Sequence, residues 1–173
     1  MFIKLLGGIL IIAASGLFGI ALSNKYSCRP KDIRKLRTYL QMLETEIVYG
    51  ATPLPYAFDS LAAKADREWV CFFSTISRNL IEGRYYNVKT AWEDAVDNEL
   101  SEVYLNKEDR ELMQSFGNIL GSSDTEDQQK HFKLFYRQLE QQEQLADEDR
   151  KKNEKMYKSL GFLLGLVIFI ILV

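Results

Sequence analysis

Charge is missing from both ends of this chain. No charged residue occurs from Leu5 to Leu22, and none from Ser159 to Val173. A helix that is apolar all round has no face to turn to water, so it belongs inside a core or in lipid. The first run, LLGGILIIAASGLFGIAL, is about 18 residues, near the lower limit for crossing a hydrocarbon layer of about 30 Å. A cleaved signal peptide begins the same way, with a short basic segment and an apolar stretch. Here the positive charge lies mostly after the run, at Lys25, Arg29, Lys31, Arg34, Lys35 and Arg37, with only Lys4 and the amino terminus before it. This asymmetry favours an uncleaved anchor over residues 1–25, with the chain from residue 25 onward in the cytosol.

The second run, Leu160 to Val173, makes a helix of only about 21 Å. Met156 and Tyr157 extend it, and Lys158 can snorkel from its inner edge. Lys151, Lys152, Lys155 and Lys158 precede it, which keeps the preceding segment cytosolic as well. The expectation is a C-terminal transmembrane segment over 159–173; the competing reading is a buried terminal helix.

The middle excludes several functions. Without Lys4 and Lys25, residues 26–158 hold 20 basic against 24 acidic residues, so no basic excess exists to displace counterions from nucleic acid. Cys28 and Cys71 form no CxxC and are too few for a disulfide scaffold. Cys71, beside Phe72 and Phe73, reads as a small buried hydrophobe. His131, the single histidine, cannot anchor a multi-histidine metal site or supply the Glu-x-x-His pairs of a di-iron bundle. GxxxxGK[ST], GxGxxG and HExxH are absent. The sequence therefore names no catalytic residue, no metal ligand and no cofactor.

Apolar residues recur at helical spacing throughout the middle. Ile33, Leu36, Leu40, Leu43 and Ile47 form one stripe, ended by Gly50, which is expected to take the left-handed geometry of a helix end. Thr52 and Pro53 read as an N-cap and a proline at the first helical position, before Leu54, Ala57, Phe58, Leu61 and Ala65. Trp69, Phe72, Phe73, Ile76 and Leu80 form a third stripe closed by Gly83, and Val88, Ala91, Trp92, Ala95 and Val96 a fourth after Asn87. Leu112, Met113, Phe116, Ile119 and Leu120 form a fifth, opened by Asn106 and Asp109 and closed by Gly121. Ser123 and Glu126 have capping-box spacing. They open a sixth stripe, Phe132, Phe135, Leu139, Leu145 and Ala146, with nothing to stop it before the apolar tail. The fold class is all-α: a six-helix cytosolic bundle over 26–158 flanked by N- and C-terminal membrane helices. Gln138 to Lys155, dense in charge and glutamine, reads as a solvated stalk ahead of the other reading, a face awaiting partners.

Asp124 and Asp127 exceed what capping a helix needs, so with Gln128 and His131 they are candidate contacts for a partner with a basic surface. Compensation of the helix dipole accounts for the same acidic residues.

The segments CRPKDIRKLRTYLQMLETEIVYGATPLPYAFDSLA (28–62), LGSSDTEDQQKHFKLF (120–135) and KKNEKMYKSLGFLLGL (151–166) resemble the stage III sporulation protein AB family of endospore formers, and the resemblance runs end to end. It implies a protein of the mother-cell membrane facing the forespore, on the mother-cell side of the channel between the two cells. It also implies a secretion-type ATPase and other membrane proteins as partners, and leaves room for a homo-oligomer. More distantly the chain is similar to the inner-membrane platform protein F of type II secretion and type IV pilus machines, whose cytosolic domains are six-helix bundles with a repeated Gly-x-x-Leu-x-x-Ala turn. Gly50, Pro53, Leu54 and Ala57 look like the first such turn, and Gly83 to Trp92 like a weaker copy. Gly117 and Gly121, further candidate turn residues, sit where that family has Gly-Glu-x-x-Gly, with Asn118 in place of the glutamate. The functional expectation is a non-enzymatic platform subunit that couples the ATPase mechanically to membrane components. The alternative is a membrane-anchored helical adaptor or sensor for a soluble signalling partner.

Overall fold

The computed structural model describes the backbone of residues 2–120 and 125–172, and side chains within 7–120 and 129–171. Six α-helices follow in order among the described residues: α1 Phe2–Glu44, α2 Leu54–Lys64, α3 Arg67–Ile81, α4 Val88–Asn98, α5 Lys107–Leu120 and α6 Thr125–Leu172. No strand occurs among the described residues. The N-terminal apolar run and the first amphipathic stripe are one helix, which passes through Pro30. Proline has no N–H to give, so the Tyr26 carbonyl lacks its usual helical donor there. A π-helical turn, Thr45–Tyr49, ends this first helix.

The chain parts into two units, Asp32–Gln142 and the pair Met1–Lys31 with Glu143–Val173. In the first, the stripes meet as their spacing requires. Ile33, Leu36, Leu40, Leu43, Phe58, Leu61 and Ile76 are buried, as are both tryptophans and Phe72, Phe73, Phe116, Phe132 and Phe135. Edge-to-face and tilted contacts chain the rings, with Phe72 at 5.0 Å from Trp92, Trp92 at 5.2 Å from Phe116 and Phe116 at 4.5 Å from Phe135. Polar bonds fix the ends. The Asn106 side chain accepts from Asp109 N at 2.8 Å while the Asp109 carboxylate accepts from Asn106 N at 3.0 Å, a reciprocal cap that opens α5. Asn87 Oδ1 accepts from Thr90 N at 3.0 Å and caps α4. Asp32 Oδ2 accepts from Tyr104 N at 2.9 Å, and the Tyr136 hydroxyl donates to Glu44 Oε2 at 2.8 Å.

The second unit is two helical ends packed backbone to backbone. A Cβ on Gly19 would lie 2.8 Å from Gly161 Cα, one on Gly161 would lie 2.7 Å from Gly19 Cα, and one on Gly165 would lie 2.9 Å from Ile12 Cα. Ser15 Oγ donates to the Gly161 carbonyl. Ser15 with Gly19, and Gly161 with Gly165, are pairs of small residues four apart, the spacing that lets membrane helices approach closely. Tyr26 stacks on Tyr157 at 5.4 Å, and Arg29 pairs with Asp149 at 3.3 Å. The outer surface of the pair is apolar and exposed, including Ile9, Leu10, Leu17, Phe18, Leu163 and Ile170. Among the described residues one helix, the α1 stretch beginning at Gly7, is long and apolar enough to cross a membrane.

Several local expectations fail, each for a geometric reason. Gly50 is right-handed (φ −80°), and the left-handed residue is its neighbour Ala51 (φ 48°). Glycine is needed at 50 because a Cβ there would lie 2.7 Å from the Glu46 carbonyl oxygen. The cap of α2 is Pro53 itself, with Leu54 as first helical residue; the Thr52 hydroxyl is bonded to Glu46 Oε2 at 3.0 Å instead of capping. Cys71 is exposed, because it sits about 100° around α3 from Phe72 and off the buried stripe. Leu145 is 45% exposed and Ala146 buried, since only residue 146 keeps the seven-residue step from Leu139. Gly117 lies inside α5 and makes no turn.

Candidate functional site

Three separate stretches meet at one end of the Asp32–Gln142 unit: the start of α2, the start of α4 and the end of α5. Between them is a cavity of about 550 Å³ lined by Leu54, Tyr86, Asn87, Val88, Lys89, Gly117, Asn118 and Leu120. Local sequence explains each wall. Pro53 holds extended backbone (φ −56°, ψ 138°) and delivers Leu54 as the first residue of α2. Gly83, at φ +70°, turns the chain out of α3 towards α4. Asn87 then caps α4, leaving Tyr86 wholly exposed beside it at 102%. Gly117 is the floor: a Cβ there would lie 3.3 Å from Trp92 Cδ1 and 3.4 Å from the Lys89 carbonyl oxygen. The absence of that carbon lets α5 lie close against α4, where Trp92 Nε1 donates to the Met113 carbonyl at 2.6 Å.

The site mixes apolar walls with a few polar groups, a composition suited to binding. Lys89 Nζ reaches Glu93 at 3.8 Å across one helical turn, and Asn118 Nδ2 donates to the Ser115 carbonyl at 3.3 Å. Beside this end, the Glu46 carboxylate accepts from Ser60 Oγ at 3.1 Å and Thr52 Oγ1 at 3.0 Å, and Lys64 lies 3.5 Å away. The two hydroxyl hydrogen bonds, aided by Lys64, hold Glu46 below the usual carboxylate range. This cluster fastens the π-helical turn to α2. No group of three or more metal-ligating side chains occurs among the described residues.

Of the residues singled out in the sequence, Leu54 and Gly117 share this cavity, while Gly50 and Pro53 shape the turn that leads into it. His131 is exposed on α6. Gly121 and Asp124 lie outside the described residues, as do the side chains of Asp127 and Gln128. Tyr86, Asn87, Val88 and Lys89 were not singled out for binding. Their only sequence signal is an exposed aromatic next to a capping asparagine, which is common at helix starts.

A sequence profile described as stage III sporulation protein AB matches residues 4–173. The chain belongs to the stage III sporulation protein AB family. It is 41% identical over 170 residues to stage III sporulation protein AB of Bacillus subtilis (strain 168), covering 98% of this chain and 99% of that one. A solved structure of stage III sporulation protein AB (SpoIIIAB) superposes with a TM-score of 0.67 at 38% identity, covering 71% of this chain and 96% of the other. The family's helical fold is thus shared by a solved relative.

Proposed function

We propose that this member of the family is a non-enzymatic membrane platform subunit of a sporulation-specific secretion channel between mother cell and forespore. In this reading residues 1–25 and 159–173 lie in the mother-cell membrane facing the forespore, and residues 26–158 are cytosolic. The bundle engages a secretion-type ATPase and passes its rearrangements to other membrane components of the channel. The observation that carries the reading is the continuity of α1 and α6, each of which contributes to the aromatic core and, without a break, to the glycine-packed apolar pair.

The resemblance to platform protein F supports the ATPase as the partner, and the cavity at Tyr86 and Gly117 supplies a concave surface for it. Copurification from membranes of sporulating cells tests the proposal. The tagged full chain is expected to retain a hexameric ATPase, and Tyr86→Ala, which removes the exposed aromatic at the cavity rim without touching the core, to lose it. Retention of a soluble signalling protein in its place would turn the reading towards the adaptor alternative.

A further inference from the structure

We propose that the outer face of α6, where it enters its apolar stretch, is a binding site for one anionic phospholipid, with the headgroup phosphate at Lys155, Lys158 and Ser159 and an acyl chain along Phe162 and Leu163. The proposal rests on the reading that the paired ends of α1 and α6 lie in a bilayer.

A groove of about 470 Å³ is lined by Lys158, Ser159, Phe162 and Leu163. It is amphiphilic along one helix face: residues 155, 158 and 159 are cationic or hydroxylic, and residues 162 and 163, a turn further on, are apolar. All five are exposed, and Gly161 and Gly165, which pack against the other helix, are buried on the adjoining face. Lys158 Nζ donates to Glu154 Oε1 at 2.6 Å, which fixes the ammonium at the polar end and leaves two of its three donors. Lys155 makes no ion pair among the described residues.

The surroundings set the sign of the ligand. Residues 25–31 and 151–158 together hold seven basic residues and one acidic residue, Glu154. A zwitterionic lipid brings its own cation to this collar, whereas an anionic one adds only the phosphate charge. Free phosphate would leave Phe162 and Leu163 uncovered. Basic residues at the cytosolic edge of a helix pair are where anionic headgroups bind.

The test reconstitutes the full chain into bilayers holding equal amounts of phosphatidylglycerol and phosphatidylcholine, extracts it, and reads retained lipid by native mass spectrometry. Phosphatidylglycerol is expected to be retained selectively. Lys155→Gln with Lys158→Gln should lower that selectivity by up to about 25-fold, since each interfacial lysine contributes roughly fivefold. Lys25→Gln with Lys31→Gln removes the same charge from the other helix, which weakens the general attraction of the collar but not the groove, and should lower retention clearly less than the Lys155 and Lys158 pair does. Leu163→Trp fills the groove at unchanged charge and should also reduce retention, with circular dichroism confirming that the helices persist. Equal retention of the two lipids, or equal loss in the two double variants, overturns the site while leaving bilayer insertion standing. Failure of the parent chain to enter either lipid overturns both.

Discussion

Trp92 Nε1 donates to the carbonyl oxygen of Met113 at 2.6 Å, in a bond buried between α4 and α5. The same indole has its Cδ1 where a Cβ on Gly117 would come within 3.3 Å, so one side chain sets how closely the two helices approach and underlies the cavity floor. Trp92→Phe loses the donor and leaves a void. It should destabilise the bundle by about 2–3 kcal/mol, read as urea unfolding followed by circular dichroism. An unchanged midpoint would mean that the indole does not hold the pair.

The glycines of the helix pair are separable by their surroundings. Gly161→Ile places a branched side chain against the Gly19 backbone and should cost about 1–3 kcal/mol of thermal stability in detergent. Gly16→Ile is the control, because nothing lies within 4 Å of a Cβ there. Equal effects would contradict the close crossing.

The turn after α1 predicts opposite signs for neighbouring substitutions. Gly50→Ala drives a methyl into the Glu46 carbonyl and should destabilise by about 1–3 kcal/mol. Ala51→Gly relieves a left-handed alanine and should stabilise by a few tenths to about 1 kcal/mol, the strain removed being partly offset by added freedom in the unfolded chain. Thermal melting of the two variants side by side checks the assignment.

Much of this was readable from periodicity, and the exceptions share a cause. Asn106 and Asp109 are three apart, so their reciprocal cap is visible in the sequence. The stripes through Trp69, Trp92 and Phe116 likewise predict their own burial. Cys71 misleads because a sequence neighbour of two buried phenylalanines is not their neighbour on a helix. The pairing of Gly19 with Gly161 joins residues 142 positions apart, which no periodicity within one helix can show. The spacing of small residues was the available signal for it. The cavity gathers Leu54, Tyr86 and Gly117 from three segments, and convergence of that kind is a tertiary fact.

Acid should weaken the Asp32–Gln142 unit in a defined direction. Glu46 is lowered by its Ser60 and Thr52 hydrogen bonds, and Asp66 by the Lys35 ammonium at 2.9 Å. A carboxyl whose folded pKa is depressed contributes stability above its unfolded value, about 4, and loses it as pH falls through the folded value. Melting temperature should therefore be flat in these groups from about pH 6 to 8 and fall below about pH 4. Ser60→Ala should shrink the acid-sensitive part, and an unaltered profile would remove Glu46 from the account.

Photo-crosslinking inside sporulating cells shows what faces the cavity, with the photoreactive residue placed at Tyr86 on the cavity rim and, for comparison, at exposed Arg78 on α3. A platform subunit that meets the secretion-type ATPase at this cavity should crosslink to it from position 86 and not from position 78. A crosslink from position 86 to a soluble signalling protein, or no ATPase adduct from either position, would contradict that reading.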